Sequence, residues 1–193
     1  MLLWLTLGAG AQTRNPELWV YDHAGLSPAA MQSFVNQTQG IFSEAGVSLP
    51  IHICGTGYAC EIDTKPAKIL VLRIVLGRSH QMNNTLRSPL GQSFADHRGG
   101  TYASVFLEPV QQQAADNDVP WPTLLAYAAG HEIGHLLLGD QAHTPRGLMK
   151  AHWDKNDFVD LKQDRLHFSK DQAQQLARCC TGLSLESERR EEH

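Results

Sequence analysis

Short apolar runs along the first half of the chain predict β-strands. The longest, residues 68–76 (KILVLRIVL), is a largely continuous apolar run between Pro66 and Gly77. Such a run is typical of a central strand that is buried on both faces. Apolar residues in short clusters or at alternate positions predict three more strands, over residues 18–21, 47–54 and 101–107.

Apolar residues spaced three or four positions apart predict three α-helices. The first has Ser27 as its N-cap and Gly46 after its last turn, and the last has Gln172 placed for a capping box. The helices are predicted to begin at Pro28, at Trp121 (ending at Gly139) and after Ser169. The polar stretches between these elements are predicted to be loops or turns, over residues 77–100, 111–120 and 140–168.

The order of these elements predicts one α+β domain with α/β-type layers. A length of 193 residues suits a single domain, and a hydrophobic content of 42% against 19% charged residues suits a folded core. The net charge is −4 and no basic stretch is present, which disfavours a nucleic-acid partner. No apolar run is long enough for a membrane-spanning helix. As to oligomeric state, we expect a monomer.

The N-terminus and the cysteines favour an exported protein, secreted or periplasmic. Residues 1–7 are mostly apolar, and Ala9 and Ala11 form the A-x-A step that signal peptidase accepts, which predicts a truncated signal peptide over residues 1–11. We expect a folded domain over residues 12–180 and a charged, disordered tail over residues 181–193.

The four cysteines are compatible with an oxidising compartment. Cys54 and Cys60 are close enough in sequence for a small looped disulfide, whereas bonding the neighbours Cys179 and Cys180 to each other is strained. Four cysteines allow three pairings, and the sequence does not choose among them.

The predicted second helix carries the segment His131-Glu132-Ile133-Gly134-His135. Residues four apart project from the same helix face, so both imidazoles can reach one ion. Glu132 lies beside them, where its carboxylate can act on a water without binding the metal. The HExxH spacing therefore predicts a zinc site with two ligands and a general base on one turn.

A catalytic zinc needs a third protein ligand, which must come from elsewhere in the chain. The first glutamate after Glu132 is Glu186, in the predicted tail, so a glutamate from a later helix is disfavoured. Asp140, His143 and His152 are the nearest candidates downstream. We favour His143, because Gly139 can end the helix and turn the chain back toward the metal. Asp140 stays open as the alternative.

The stretch from residue 131 to residue 149 (HEIGHLLLGDQAHTPRGLM) resembles the metzincin metallopeptidases, in particular small exported zinc peptidases of bacteria. The resemblance implies that His131, His135 and His143 bind one Zn²⁺, that Glu132 is the general base, and that Met149 is the Met-turn methionine beneath the ligands. Here Gly139 follows the second histidine by four residues and His143 follows Gly139 by four, one more in each segment than the family pattern.

The resemblance also implies a fold and an activity. The fold is a single metzincin-like domain with a twisted, mostly parallel sheet, an antiparallel edge strand, a backing helix, an active-site helix and a C-terminal helix. The activity is zinc-dependent hydrolysis of peptide bonds in a peptide or protein substrate, bound by strand addition along residues 101–107 if this strand is an edge. Two alternatives stay open: a catalytically degenerate zinc protein that binds peptides or partners without turnover, and a hydrolase of non-peptide amides.

Overall fold

The computed structural model describes residues 15–55, 68–77 and 89–181. The predicted signal peptide, residues 1–11, lies outside these ranges. The predicted tail lies outside them as well, except for its first residue, Thr181, which is the last residue of a helix. No helix in the described part of the chain is long and apolar enough to cross a membrane.

Five strands form one sheet in the spatial order β2-β1-β3-β5-β4. All neighbours are parallel except the last pair, in which β4 runs antiparallel to β5. The continuous apolar run of the sequence is β3, and it occupies the centre of the sheet as predicted. The strands are β1 (Glu17–Asp22), β2 (Ile51–Cys54), β3 (Ile69–Val75), β4 (Gly91–Asp96) and β5 (Gly99–Phe106).

Five helices complete the domain, and the three that the sequence predicts are all present. Ser27 caps the first helix by accepting a hydrogen bond from the backbone N–H of Ala30. Ser169 and Gln172 form the predicted capping box at the start of the last one. The helices are α1 (Pro28–Glu44), α2 (Leu107–Asp116), α3 (Trp121–Leu138), α4 (Lys155–Lys162) and α5 (Lys170–Thr181).

The core lies between one face of the sheet and the helices α1 and α3. The side chains that β1, β3 and β5 direct to this face are fully buried, and so are the facing side chains of both helices. Their apolar contact holds α3 flat against β4 and β5, which is the placement that matters for the site. The largest members of this core are Leu18, Leu70, Leu72, Ile74, Phe34, Phe42, Tyr127 and Ile133.

The predicted fold class is therefore confirmed, with a correction at the edge of the sheet. Residues 77–100 are not all loop, because Gly91–Asp96 form β4. Consequently β5 pairs on both sides, and residues 101–107 are not the edge strand. The sequence GQSFAD has little intrinsic preference for a strand, so its conformation comes from pairing with β5 rather than from local propensity.

Two predicted irregular stretches contain helices. Residues 111–120 were expected to be turn-like, but α2 extends through Asp116 and buries Leu107, Val110 and Ala114 along one face. That spacing is helical, although the polar residues between these positions obscure it. Within residues 140–168, α4 is a short helix stabilised by a capping box between Asp154 and Asp157.

The cysteines divide into two groups. Cys54 is disulfide-bonded, whereas Cys179 and Cys180 are free thiols. Cys60, the partner that the sequence suggests for Cys54, lies outside the described residues. The adjacent pair is not joined, in agreement with the strain expected of such a bond.

One buried polar group in the core has a cost that can be measured. Among the described residues, the Thr38 hydroxyl is the buried side-chain group without a hydrogen-bond partner. We expect Thr38→Val to raise the free energy of unfolding by about 1 kcal/mol, because an unpaired buried hydroxyl is costly. Thr38→Ser keeps the hydroxyl and removes a buried methyl group, so it should lower stability by about 1 kcal/mol. Urea unfolding of both variants checks this, and destabilisation by both would contradict it.

Candidate metal centre

The helix α3 brings the first part of the motif to one place. It begins at Trp121 with Pro122 in its first turn, where the missing N–H of proline costs nothing, and it is apolar over most of its surface. A helix that is apolar all round is held inside a protein, and α3 is buried along most of its length. Among the polar groups of α3, Glu132 and His135 are buried and His131 is half-buried.

Three imidazole nitrogens converge at the end of α3. The distances between Nε2 atoms are 3.3 Å for His131 and His135, 3.1 Å for His135 and His143, and 3.4 Å for His143 and His131. Three nitrogens that each lie about 2.0–2.1 Å from one tetrahedral zinc ion stand about 3.3–3.4 Å from one another. The spacing of this His triad therefore fits a single zinc ion.

Hydrogen bonds at the opposite ring nitrogens leave the Nε2 atoms facing one another. Nδ1 of His131 lies 2.9 Å from the carbonyl oxygen of Leu148, and Nδ1 of His135 lies 3.1 Å from that of Gly139. A carbonyl oxygen only accepts, so each Nδ1 carries the proton and donates it. Each Nε2 then keeps its lone pair for a metal, and such outer partners fix the ring orientation of metal-binding histidines.

A turn after Gly139 brings in the third histidine. Gly139 has φ +98°, a conformation that other residues rarely adopt, and a Cβ there would stand 2.9 Å from the carbonyl oxygen of His97. Asp140 then donates its backbone N–H to the carbonyl of Asp96 at 3.0 Å. Gln172 of α5 donates to the carbonyl of Ala142, which fixes the segment just before the third histidine.

The turn at Gly139 therefore accommodates the one extra residue between His135 and Gly139 and the one extra residue between Gly139 and His143. His143 reaches the other two rings, whereas the alternative candidates Asp140 and His152 are exposed and lie outside the cluster. In the part of the chain that the structure describes, this triad is the group of side chains with the spacing of a metal site.

Met149, the methionine that the resemblance assigns to the Met-turn, packs on α3 between the positions of the two helical histidines. Its side chain is fully buried against α3 at Gly134, the residue before His135. The preceding turn is held by Gly147 at φ +81° and by a backbone hydrogen bond from Leu148 to the carbonyl of His167. Met149 closes the turn by accepting a backbone hydrogen bond from Thr144 at 3.0 Å.

The Glu132 carboxylate is buried next to the edge strand. A Cβ at Gly91 of β4 would stand 2.6 Å from Glu132 Cγ, so the absence of a side chain there makes room for the glutamate. Burial raises the pKa of Glu132 to about 7, and a hydrogen bond with Ser93 opposes this increase in part.

Burial has the opposite effect on the histidines, because it disfavours their charged form. It lowers the pKa of His131 to about 4, against the hydrogen bond to the Leu148 carbonyl, and it also lowers the pKa of the more exposed His143. A metal binds only neutral imidazole, so these surroundings favour the form that a metal requires.

The structure adds Trp153, a residue that the sequence analysis did not select. Its indole N–H donates to the same Leu148 carbonyl that accepts from His131, at 3.2 Å. Its ring stands edge-on to that of His131, with the ring centroids 6.0 Å apart. The signal in the sequence is weak: a tryptophan four residues after Met149, in a segment that is otherwise mostly polar.

Two glycines of α3 allow a matched test of the packing beneath the triad. In Gly134→Ala the new Cβ would overlap Met149 Sδ and stand 3.1 Å from both Met149 Cε and Phe168 Cε1. In Gly130→Ala, one turn earlier, the nearest atoms are at 3.5 Å, an ordinary contact. We expect Gly134→Ala to lower the free energy of unfolding by about 1–3 kcal/mol. Gly130→Ala should raise it by up to about 1 kcal/mol, because alanine favours the helix. Thermal unfolding measures both, and equal shifts would show that Met149 is not packed tightly here.

Known proteins resemble this chain in structure but not in sequence. No family model and no curated protein sequence matches it. Solved structures do match. Archaemetzincin from Methanopyrus kandleri aligns over 90% of this chain and 98% of its own, with a TM-score of 0.57 and 15% sequence identity.

A second solved structure has a similar fold. Metalloproteinase-II from Bacteroides fragilis aligns over 90% of this chain with a TM-score of 0.53 and 12% identity. The chain spans about half of that protein, since 55% of its length is covered. Likeness at these identities concerns the fold, and the structure accordingly has the metzincin-like fold that the motif implied.

Proposed function

We propose that this protein is a zinc-dependent metallopeptidase that binds one zinc ion and hydrolyses peptide bonds. One observation carries the proposal: the Nε2 atoms of His131, His135 and His143 lie 3.1–3.4 Å apart, with Glu132 on the same helix as two of them. The fold shared with an archaemetzincin and a metalloproteinase supports the same kind of activity.

The three histidines would hold the ion through Nε2. A zinc ion with three protein ligands and an open fourth position polarises a carbonyl group and lowers the pKa of water. The carbonyl oxygens of Leu148 and Gly139 orient the rings of His131 and His135, so this chain orients two of its ligand rings before the metal arrives.

Glu132 is proposed as the general base. It directly follows His131 on α3 and is not a member of the His triad, so its carboxylate is left to accept a proton. In the first step it accepts a proton from the attacking water, and later it delivers this proton to the leaving amine nitrogen. Gly91 leaves space at the carboxylate, and Ser93 hydrogen-bonds to it, so the strand β4 sets its position.

The same strand is the proposed site for the substrate. Among the described strands β2 and β4 are the two edges of the sheet, and β4 is the edge that passes directly beside Glu132 at Gly91. An extended peptide that adds to this edge by main-chain hydrogen bonds would run past the carboxylate and the triad. This replaces residues 101–107, which are inside the sheet, as the strand that receives the substrate.

Removing the third histidine should abolish metal binding. We expect His143→Ala to weaken zinc affinity by more than the roughly 100-fold that loss of an outer-shell partner can cost, because a direct ligand is lost. The nearby exposed Asp140→Ala should retain full zinc affinity and serves as the control. Zinc titration against a competing chelator measures both. If Asp140→Ala loses zinc and His143→Ala does not, the third ligand is wrongly assigned.

Removing the base should separate chemistry from metal binding. Glu132→Gln keeps the size of the side chain but cannot accept a proton, so we expect bound zinc at the wild-type level and a fall in kcat of roughly 100- to 10,000-fold. The measurements are zinc content by mass spectrometry and cleavage of a mixed peptide library.

A wild-type protein that binds zinc and peptides but cleaves none would identify the degenerate alternative. Cleavage of small amides alone would identify the non-peptide hydrolase.

We also propose that the protein is exported. The disulfide bond of Cys54 supports an oxidising compartment. When the full chain is produced with a C-terminal tag, we expect it in the secreted or periplasmic fraction, with at most two free thiols after unfolding without reductant. Recovery from the cytosol alone, with four free thiols, would contradict this proposal.

A further inference from the structure

Away from the metal centre, the last turn of α5 presents two thiols side by side. The Sγ atoms of Cys179 and Cys180 are 3.1 Å apart, and both thiols are free. Cys179 is exposed and Cys180 is buried, so a reagent in solution meets Cys179 first. Neither residue takes part in the proposed hydrolysis.

A lysine that is distant in sequence interacts with this pair of thiols. Lys68, next to β3, donates from Nζ to the carbonyl of Leu136 at 2.7 Å, and it interacts electrostatically with both cysteines. A cation near a thiol favours the thiolate, which is the reactive form. The hydrogen bond from Cys180 lowers the pKa of Cys179, and Lys68 acts in the same direction. That hydrogen bond and burial raise the pKa of Cys180.

We propose that Cys179 and Cys180 form an oxidation site for hydrogen peroxide or an organic hydroperoxide, in which Cys179 reacts first and Cys180 completes a disulfide. An exposed, activated thiolate poised next to a second cysteine is the arrangement that such oxidation requires.

The reaction has two steps. The Cys179 thiolate attacks the peroxide, an S–O bond forms and the O–O bond breaks, and the leaving oxygen takes a proton to become water or an alcohol. Cys179 is then a sulfenic acid, oxidised by two electrons at the expense of the peroxide. Cys180 attacks the Cys179 sulfur, an S–S bond forms and the S–O bond breaks, and the hydroxyl leaves as water with the proton of Cys180.

The position of the pair makes the second step slow and reversible. Adjacent Cα atoms lie about 3.8 Å apart, less than the 4.4 Å or more that is usual in disulfides, so the product is strained. Both cysteines are within α5, so the helical backbone must distort locally before the two sulfurs can bond. A strained disulfide is reduced more readily than an ordinary one, so this pair can cycle while the Cys54 disulfide persists.

Intact mass spectrometry of the full chain tests the proposal. After treatment with hydrogen peroxide, the wild type should lose the mass of two hydrogens, and a mild dithiol should restore it before the Cys54 disulfide is reduced. Cys180→Ser should instead gain one oxygen at Cys179, trapped by dimedone. Cys180→Ala provides the same readout if the serine variant does not fold. A wild-type product that gains oxygen without losing hydrogen, or that forms a disulfide between two chains, would overturn the proposal.

Two further variants test the roles assigned to the single residues. Cys179→Ser should slow oxidation roughly tenfold, because Cys180 is buried and its thiol is less ionised. Lys68→Gln should slow alkylation of Cys179 by iodoacetamide several-fold at pH 7, whereas Lys155→Gln, an exposed lysine on α4, should leave the rate unchanged. Equal rates in both lysine variants would show that Lys68 does not activate the thiol. Oxidation as fast in Cys179→Ser as in the wild type would show that Cys179 is not the nucleophile.

Discussion

The hydrogen bond between the His131 imidazole and the Leu148 carbonyl joins the two parts of the molecule on which the candidate site depends. One partner belongs to the helix α3, and the other belongs to the turn that ends at Met149. Trp153 donates to the same carbonyl, so both lone pairs of this oxygen are used. If the oxygen moved away, the buried indole N–H of Trp153 and the half-buried imidazole N–H of His131 would both lose their partner. An unpaired buried donor costs about 1–3 kcal/mol, which is a large fraction of the stability of a domain. The turn is therefore fixed against α3, and with it the floor beneath the three histidines.

The edge of the sheet supports the other side of the site. Gly91 of β4 makes room for Glu132, and Asp96, at the end of the same strand, accepts the backbone N–H of Asp140 after the helix has ended. One short strand thus sets the position of the proposed base and helps to return the chain that carries His143. This strand of low β-propensity therefore contributes to the site through its glycine and its backbone carbonyl rather than through apolar side chains.

The helix α5 contacts the segment before His143 at one end and carries the two free thiols at the other. Gln172 in its first turn holds the carbonyl of Ala142 beside His143, and the free thiols of Cys179 and Cys180 lie in its last turn. Lys68 approaches these thiols while it donates to the carbonyl of Leu136, the residue after His135. The candidate metal centre and the proposed oxidation site are thus linked through one helix and one lysine, although they use different chemistry.

The sequence by itself determined the elements whose signals are local. The continuous apolar run of β3, the caps at Ser27 and Gln172 and the histidine pair at positions i and i+4 each follow from the geometry of one strand or one helix. From these elements the fold class, the central strand and the first two histidines with Glu132 could be read directly. The resemblance to metzincins placed Met149, which depends on a turn that no local rule specifies.

The tertiary structure alone decided the features that depend on contacts between distant segments. The strand β4 forms because it pairs with β5. In α2, polar residues separate the apolar positions, so its buried face is evident only from its packing in the structure. Whether His143 or Asp140 lies beside the other two histidines depended on how the extra residues around Gly139 are accommodated. Carbonyl groups of the β4–β5 hairpin, more than forty residues earlier in the chain, set the path of this turn. Trp153 and Lys68 likewise act on carbonyl oxygens of other segments. Backbone carbonyls have the same chemistry in every residue, so the sequence does not record which of them a distant side chain will meet.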